Sequence, residues 1–296
     1  MKYAFIRNNR RRFRLTRLCS ALGVSRSGYY EWLGRPESPR TEADRHLLQH
    51  LRALHRQSRE AYGALKAWYV LQGQGIACGK HRVARLRRQN GLEALRKRRF
   101  RVTVEHHKRA PAAPNTLDRQ FNILRPDRAW VGDMTVVPTG TGWLHLAVIM
   151  DLYSRRIVGW AMGSQRGQAL ALQALQMAID QRDPAPGLLH HTDQGSAYTG
   201  ADYHALLGKI GAKASMSRRG NCYDNAVIES FFSNLKNELT HHRQFFSREE
   251  ARAAIFDYME LFYNRQRAHA TLQYVSPVEY ERSGSAVGLT CPENPS

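Results

Sequence analysis

Asp133, Asp193 and Glu229 are three carboxylates whose surroundings suit one cation-dependent site. Asp133 lies in Ala129-Trp-Val-Gly-Asp-Met-Thr-Val-Val137, an apolar run that reads as a strand. Asp193 follows the short run Leu188-Leu189-His190-His191-Thr192 and precedes the turn Gln194-Gly195-Ser196. Glu229 sits in a helical stretch from Tyr223 to Lys236. Carboxylates at strand ends and on a facing helix can converge without breaking backbone hydrogen bonds. Hard cations such as Mg²⁺ take oxygen ligands of this kind and keep waters for a substrate. Singly, Asp133 reads equally as a strand-end residue, Asp193 as a turn or helix cap, and Glu229 as half of a surface ion pair. Lys236 follows Glu229 by two helical turns, so it shares that face and meets substrate phosphate beside the metal ligands. On another face Ile228, Phe231, Phe232, Leu235 and Leu239 hold the helix against a sheet.

The elements that must position these groups follow from hydrophobic periodicity. Strands are expected at Trp130–Val137, Trp143–Met150 and Arg156–Met162, joined by turns short enough for an antiparallel meander. A helix over Gln168–Gln181, a strand over Leu188–Thr192, a helix over Tyr198–Ile210 and a strand over Ala212–Met216 come next. That order resembles a ribonuclease-H-like fold, a mixed five-stranded sheet with helices. Upstream, Leu15, Leu18 and Leu22 recur at helical spacing, Gly23 suits the positive φ of a tight turn, and Ser25 suits the cap of a second helix bearing Tyr29, Trp32 and Leu33. Helix, glycine turn, helix is the helix-turn-helix pattern, with Arg26, Ser27 and Tyr30 at the groove-contacting end; an ordinary helical hairpin is the competing reading. Helical pattern returns over Thr41–Gln57, Tyr62–Leu71 and Gly79–Asn90, the last capped by Gly91. It carries Val83 and Leu86 on one stripe and Lys80, Arg82 and Arg85 on the remainder, then runs into the basic arm Arg96-Lys97-Arg98-Arg99. The expected organisation is therefore a basic all-α, helix-turn-helix-type DNA-binding region over 1–101, a linker over 102–128, an α/β catalytic core over 129–246 and a helical extension with tail over 247–296.

The charge distribution agrees with that division. The chain has 296 residues with 45 Lys+Arg against 25 Asp+Glu, a formal net charge of +20. Residues 1–128 hold 30 basic and 9 acidic side chains, whereas residues 129–296 hold 15 and 16. A surface so lopsided fits a polyanionic partner. Cys19, Cys78, Cys222 and Cys291 form no Cys-x-x-Cys pair, so neither a disulfide framework nor a zinc site is expected. The pairs His106-His107, His190-His191 and His241-His242 likewise lack partners at metal-ligand spacing. No apolar run approaches a membrane span and no secretory signal is read, so a soluble, intracellular chain with no membrane partner is expected.

Longer strings carry a specific resemblance. Trp130-Val-Gly-Asp-Met-Thr135, His191-Thr-Asp-Gln-Gly-Ser-Ala-Tyr198 and Ser217-Arg-Arg-Gly-Asn-Cys-Tyr-Asp-Asn-Ala-Val-Ile-Glu-Ser-Phe-Phe232 resemble the signature blocks of bacterial insertion-sequence transposases. The match is to the second-reading-frame (OrfB-type) protein of the insertion-sequence-three family, in the retroviral-integrase-like DDE superfamily. Leu18 to Tyr30, Gly142 to Trp160 and Tyr263 to Leu272 agree, and the resemblance spans about residue 14 to Tyr280.

The resemblance implies a DDE site of Asp133, Asp193 and Glu229 holding two Mg²⁺ or Mn²⁺ ions, with Asp133 bridging them. It implies strand cleavage and strand transfer at element ends, Lys236 on a terminal phosphate, and Asn225 capping the Glu229 helix or contacting DNA. The region after Ser247, including Tyr263, Asn264, Arg267 and His269, is expected to pack against the core and extend the DNA surface. The implied partners are double-stranded DNA, both terminal repeats and target, a homo-multimer on that DNA and the upstream-frame protein of the same element. The implied location is the bacterial cytoplasm, at the nucleoid. No upstream-frame helix-turn-helix or zipper segment precedes Met1, and no His-His-Cys-Cys zinc domain is present, so the chain reads as the catalytic half alone. The alternatives are a non-catalytic DNA-binding regulator and a ribonuclease-H-type nuclease.

Overall fold

The leucine spacing of the first fifty residues becomes a small helical unit. The computed structural model describes residues 1–95, 113–218 and 222–287. Its contacts divide the chain into Met1–His50 and Leu51–Ser296, inside helix α4 (Pro39–Gln57). In the first unit, α1 (Lys2–Asn9), α2 (Leu15–Leu22) and α3 (Arg26–Gly34) surround Ile6, Leu18, Cys19 and Tyr29. Gly23 adopts the left-handed conformation at φ 61° that ends α2, and Ser25 Oγ accepts the Gly28 N–H at 3.0 Å to start α3. Helix α1 was not anticipated; Ile6 is its one buried residue, too little for a periodic signal among arginines.

In the second unit, α5 (Ala64–Gly73) and α6 (Lys80–Gln89) form a helical pair in which Val83 and Leu86 are buried as expected. Gly91 follows α6 at φ 65°. Arg87, on the basic side of the same helix, is buried and donates to the Tyr62 carbonyl at 2.7 Å. The pair is joined to the C-terminal region, where the Ala268 N–H donates to Tyr62 Oη at 2.7 Å and Tyr69 stacks on Tyr274 at 3.9 Å.

The sheet that follows has the order β3-β2-β1-β4-β5. β1 (Ala129–Thr139), β2 (Gly142–Asp151) and β3 (Ile157–Gly163) are antiparallel neighbours, and β4 (Leu189–Thr192) and β5 (Lys213–Met216) run parallel to β1. This is the ribonuclease-H-like arrangement, and every strand falls within a residue or two of its expected place. Alternation along the strands sorts side chains to two faces. Val131, Val137, Leu144, Leu146 and Val148 pack with α9 (Ala226–Leu235) and α10 (Arg248–Phe256), while Trp130, Ala147 and Ile149 pack with α7 (Gln168–Arg182) and α8 (Ala201–Lys209). Helix α9 buries Ile228, Phe231, Phe232 and Leu235, and Leu239 beyond it, which is the face expected. It is preceded by a 3₁₀ turn (Cys222–Asn225) and followed by a π-helical segment (Lys236–Thr240).

Two stretches differ from expectation. Residues 113–119, read as linker, belong to the core: Leu117 is buried, and the Thr116 and Leu117 N–H groups donate to Ser215 Oγ at 3.0 and 3.1 Å beside β5. The extension after Ser247 does pack against the core, but Tyr263, Asn264, Arg267 and His269 are all buried and so build interior rather than DNA surface. Asn264 follows a second π-helical segment (Asp257–Tyr263) and clamps β3, accepting the Ile157 N–H at 2.9 Å and donating to the Ile157 carbonyl at 3.0 Å. Arg267 pairs with Glu238 through two donors, Nε at 2.8 Å and Nη2 at 2.6 Å. The last helix, α11 (Pro277–Val287), is tied to the sheet through Glu281, which meets Arg156 at 2.7 Å and Arg182 at 3.1 Å. Among the described residues no helix is long and apolar enough to cross a membrane.

The clamp yields a stability prediction. Asn264→Ala strands a buried N–H and C=O on Ile157 and is expected to cost about 2–4 kcal/mol. Urea unfolding checks this, together with faster amide exchange at Ile157; an unchanged midpoint and protection contradict the clamp.

Candidate active site

Two acidic side chains bear on a third because of how β1, β4 and α9 are arranged. Asp133 sits mid-way along β1, the strand paired on both sides, and is half-buried with Met134 N–H donating to its Oδ1 at 2.7 Å. Asp193 follows β4, which runs beside β1, so the parallel pairing carries the two carboxylates to the same end of the sheet. The turn after it is closed by Gly195 N–H donating to Asp193 Oδ1 at 2.9 Å. A side chain at 195 would place its Cβ 2.8 Å from that oxygen, so glycine is required for the close approach. Glu229, exposed in the first turn of α9, comes from the helix packed on β1.

The other two charges register at Asp133. Burial pushes the Asp133 carboxyl up to about 7, and the Asp193 and Glu229 charges push in the same direction, against Met134 N–H and Arg166. Partial burial also raises Glu229. The donor set is three carboxylates with uncompensated negative charge at its centre, which fits a hard divalent cation rather than a soft one. Among the described residues no three His, Cys, Asp or Glu side chains are spaced closely enough to cage an ion.

The remaining expected residues distribute unevenly. Asn225 occupies the N-cap position of α9 but makes no capping bond; it is buried with Oδ1 unpartnered. Lys236 is half-buried at the far end of α9, and the cation acting on Asp133 is Arg166, from the loop between β3 and α7. Sequence reasoning missed Arg166, which carries no periodic or motif signal. Arg26, Ser27 and Tyr30 are exposed along the start of α3. On α6 Lys80 is exposed, Arg82 and Arg85 are half-buried, and Arg85 bonds Gln89 at 3.1 Å. Arg96, Lys97, Arg98 and Arg99 lie outside the described residues.

Around the site, buried polar groups are matched. His191 sits between Ser215 Oγ at 2.9 Å and Ser217 Oγ at 3.0 Å, and burial lowers it to about 4, so it is a neutral structural histidine. His190 bonds Tyr203 Oη at 2.7 Å and is pushed down to about 3 for the same reason. Asp224 was also missed: fully buried, it accepts Arg218 Nη2 at 2.9 Å, Arg119 Nε at 3.0 Å and Asn115 Nδ2 at 2.9 Å. The Arg218 pair holds its carboxyl well below the usual range. These bonds tie the 113–119 stretch to the turn that launches the Glu229 helix.

Comparison with known proteins identifies the family. Integrase core domain models match residues 124–222 and 229–283, and an HTH-like domain model matches residues 42–100. The chain is 43% identical over 263 residues to the insertion element IS600 uncharacterized 31 kDa protein of Shigella sonnei, covering 89% of this chain and 97% of that relative. It is 38% identical over 288 residues to transposase InsF for insertion sequence IS3A of Escherichia coli strain K12, covering 97% and 100%. The HTLV-2 integrase catalytic core in complex with magnesium superposes with a TM-score of 0.41 at 16% identity, covering 53% of this chain and 98% of that one. With curated relatives matched over nearly their whole length, the chain belongs to the insertion-sequence-three family of transposases, polynucleotidyl transferases with an integrase core and an HTH-like domain.

Proposed function

We propose that Asp133, Asp193 and Glu229 are the DDE triad of this transposase and hold two Mg²⁺ or Mn²⁺ ions, with Asp133 as the shared ligand. The observation that carries the reading is the push of the Asp193 and Glu229 charges on the half-buried Asp133 carboxyl, with β4 paired beside β1 and α9 packed on β1. Bound there, the ions supply Lewis-acid stabilisation of charge on the scissile phosphate and the entering and leaving oxygens. The residues themselves fix the geometry: β1 and β4 hold two carboxylates rigidly, and α9 brings the third.

The reaction is hydrolysis of a phosphodiester that frees a 3′-hydroxyl at the element end. In-line attack of that hydroxyl on a target phosphodiester then joins the strands and releases the target's own 3′-oxygen, with no covalent protein intermediate. Lys236 grips a terminal phosphate, and Asn225, whose unpartnered Oδ1 is buried at the start of the Glu229 helix, is assigned a supporting role there rather than a surface contact with DNA. Arg26, Ser27 and Tyr30 on α3, Lys80, Arg82 and Arg85 on α6, and the arm Arg96 to Arg99 are the proposed DNA-binding positions. The match of the HTH-like model to residues 42–100 supports the α6 group. Terminal repeats and target DNA are the substrates, a homo-multimer pairs the ends, and the upstream-frame protein of the same element is the proposed partner. The work is done at the nucleoid.

Labelled element ends incubated with Mn²⁺ test the triad. Asp133→Asn, Asp193→Asn and Glu229→Gln are each expected to reduce nicking and joining at least about 10³-fold, which is about 4 kcal/mol of barrier, while DNA affinity stays within about 2-fold. Cleavage retained in all three removes the assignment; cutting of RNA–DNA hybrids without joining points to a nuclease. DNA affinity is expected to fall steeply and log-linearly with salt, as phosphate contacts release counterions; a flat response contradicts the assigned basic contacts.

A stability measurement tests the site without DNA. A carboxyl raised in the folded state keeps a proton that the unfolded chain releases near pH 4. Asp133 therefore lowers stability progressively as pH rises from about 4 to about 7. Asp133→Asn is expected to stabilise the metal-free protein by about 1–3 kcal/mol at pH 8, the full shift being reduced by solvent at a half-buried group, and by nothing at pH 4. Equal effects at both pH values contradict the charge coupling.

A further inference from the structure

Tyr198 lies in the turn after Asp193 with a hydroxyl that no group among the described residues engages. The residue is 2% exposed, and its Oη is buried with no hydrogen-bond partner. Leaving a buried hydroxyl unpaired costs about 1–3 kcal/mol, and such exceptions call for a state in which the group is used. Its position is not accidental. The Tyr198 N–H donates to the Gly195 carbonyl at 2.9 Å in the same turn whose Gly195 N–H holds Asp193 Oδ1. Its ring rests edge-on against Tyr203 at 5.4 Å, and Tyr203 is itself fixed by His190 at 2.7 Å. Burial dominates the environment of the phenol, and the groups whose charges act on it are Asp133, Tyr203, Asp193 and Arg166.

The two carboxylates are half-served in a complementary way. Asp133 Oδ1 accepts Met134 N–H and Asp193 Oδ1 accepts Gly195 N–H, while among the described residues neither Oδ2 accepts a hydrogen bond from the protein. Ionised carboxylates offer several lone pairs, more than a cation takes, and a ligand left with spare acceptors is oriented by a neighbouring donor. A phenol is suited to this, since it donates one proton and adds no positive charge to compete with the ions.

Resting on the triad assignment, we propose that Tyr198 is a positioning residue for the cation-binding carboxylates: its hydroxyl, unpartnered in this structure, donates to Asp133 or Asp193 when they hold the ions. Tyr198 thereby links the β4 turn to ion capture, and a buried group that costs stability in one state stabilises the other.

Tyr198→Phe removes one oxygen and leaves the ring. Mn²⁺ titration of the full chain by calorimetry at pH 8 is expected to show affinity 10- to 100-fold weaker than wild type. The thermal midpoint of the metal-free variant in chelator is expected to be unchanged or higher, because the unpaired hydroxyl is gone. A role in packing alone predicts a lower midpoint and unchanged affinity, and that result overturns the proposal. Tyr203→Phe, which loses the bond to His190, is the control expected to lower the midpoint without a comparable loss of affinity. In the wild-type chain Mg²⁺ is expected to red-shift tyrosine absorbance, and the shift should be missing in Tyr198→Phe; an identical shift in both counts against the proposal. If Asp133→Asn binds Mn²⁺ as tightly as wild type, the triad assignment itself fails; if Asp133→Asn loses the ion and Tyr198→Phe does not, only the inference about Tyr198 fails.

Discussion

Placing negative charge in a low-dielectric interior without a cation beside it is the constraint on which this architecture turns. Elsewhere the chain meets it with arginine: Asp224 is held by Arg218 and Arg119, Glu238 by Arg267, and Glu281 by Arg156 and Arg182. At Asp133 it does not. The nearest help is Arg166, acting from an exposed loop with no ion pair formed, while two more carboxylates bear on the same group. Among the described residues, Asp133 is thus a raised carboxyl that other carboxylates press on without an arginine ion pair to answer them. Asp151 is also raised to about 7, but it is wholly enclosed, accepts Ser154 Oγ at 3.1 Å and lies within the Arg182 and Glu281 network, so its perturbation belongs to structure.

The C-terminal extension packs on the continuation of the helix that carries Glu229. Its two π-helical segments meet through Glu238, which accepts Tyr258 Oη at 2.8 Å and the Arg267 fork. Widened turns of this kind let inward-facing groups reach partners that a regular helix would carry past. The result anchors the continuation of α9, and with it the helix that carries Glu229.

Much of this could be read from the chain. The strands were visible because β1 and β2 are near-continuous apolar runs, and the α9 face because Ile228, Phe231, Phe232 and Leu235 keep helical spacing. Gly23 and Ser25 announced their turn through local chemistry that needs no tertiary context. What stayed hidden depends on distant partners. Asp224 finds Arg119 and Asn115 more than 100 residues away, so nothing beside it in sequence marks it as a hub. Residues 113–119 are proline-containing and polar, which reads as a linker, yet Ser215 captures their N–H groups. Tyr198 was visible only as a letter in a motif, because an absent partner cannot be inferred from spacing. The π-helical registers likewise leave no trace in hydrophobic period.

The two margins of the sheet deserve a final thought. On β3, Asn264 occupies both backbone groups of Ile157 and Arg252 Nη1 takes the Met162 carbonyl at 2.9 Å. On β5, the Met216 N–H is directed to the Pro114 carbonyl at 3.4 Å. A newcomer's backbone cannot zip onto these positions without first evicting their occupants. Extending this sheet by another strand at those positions would therefore first require releasing contacts that the chain makes with itself.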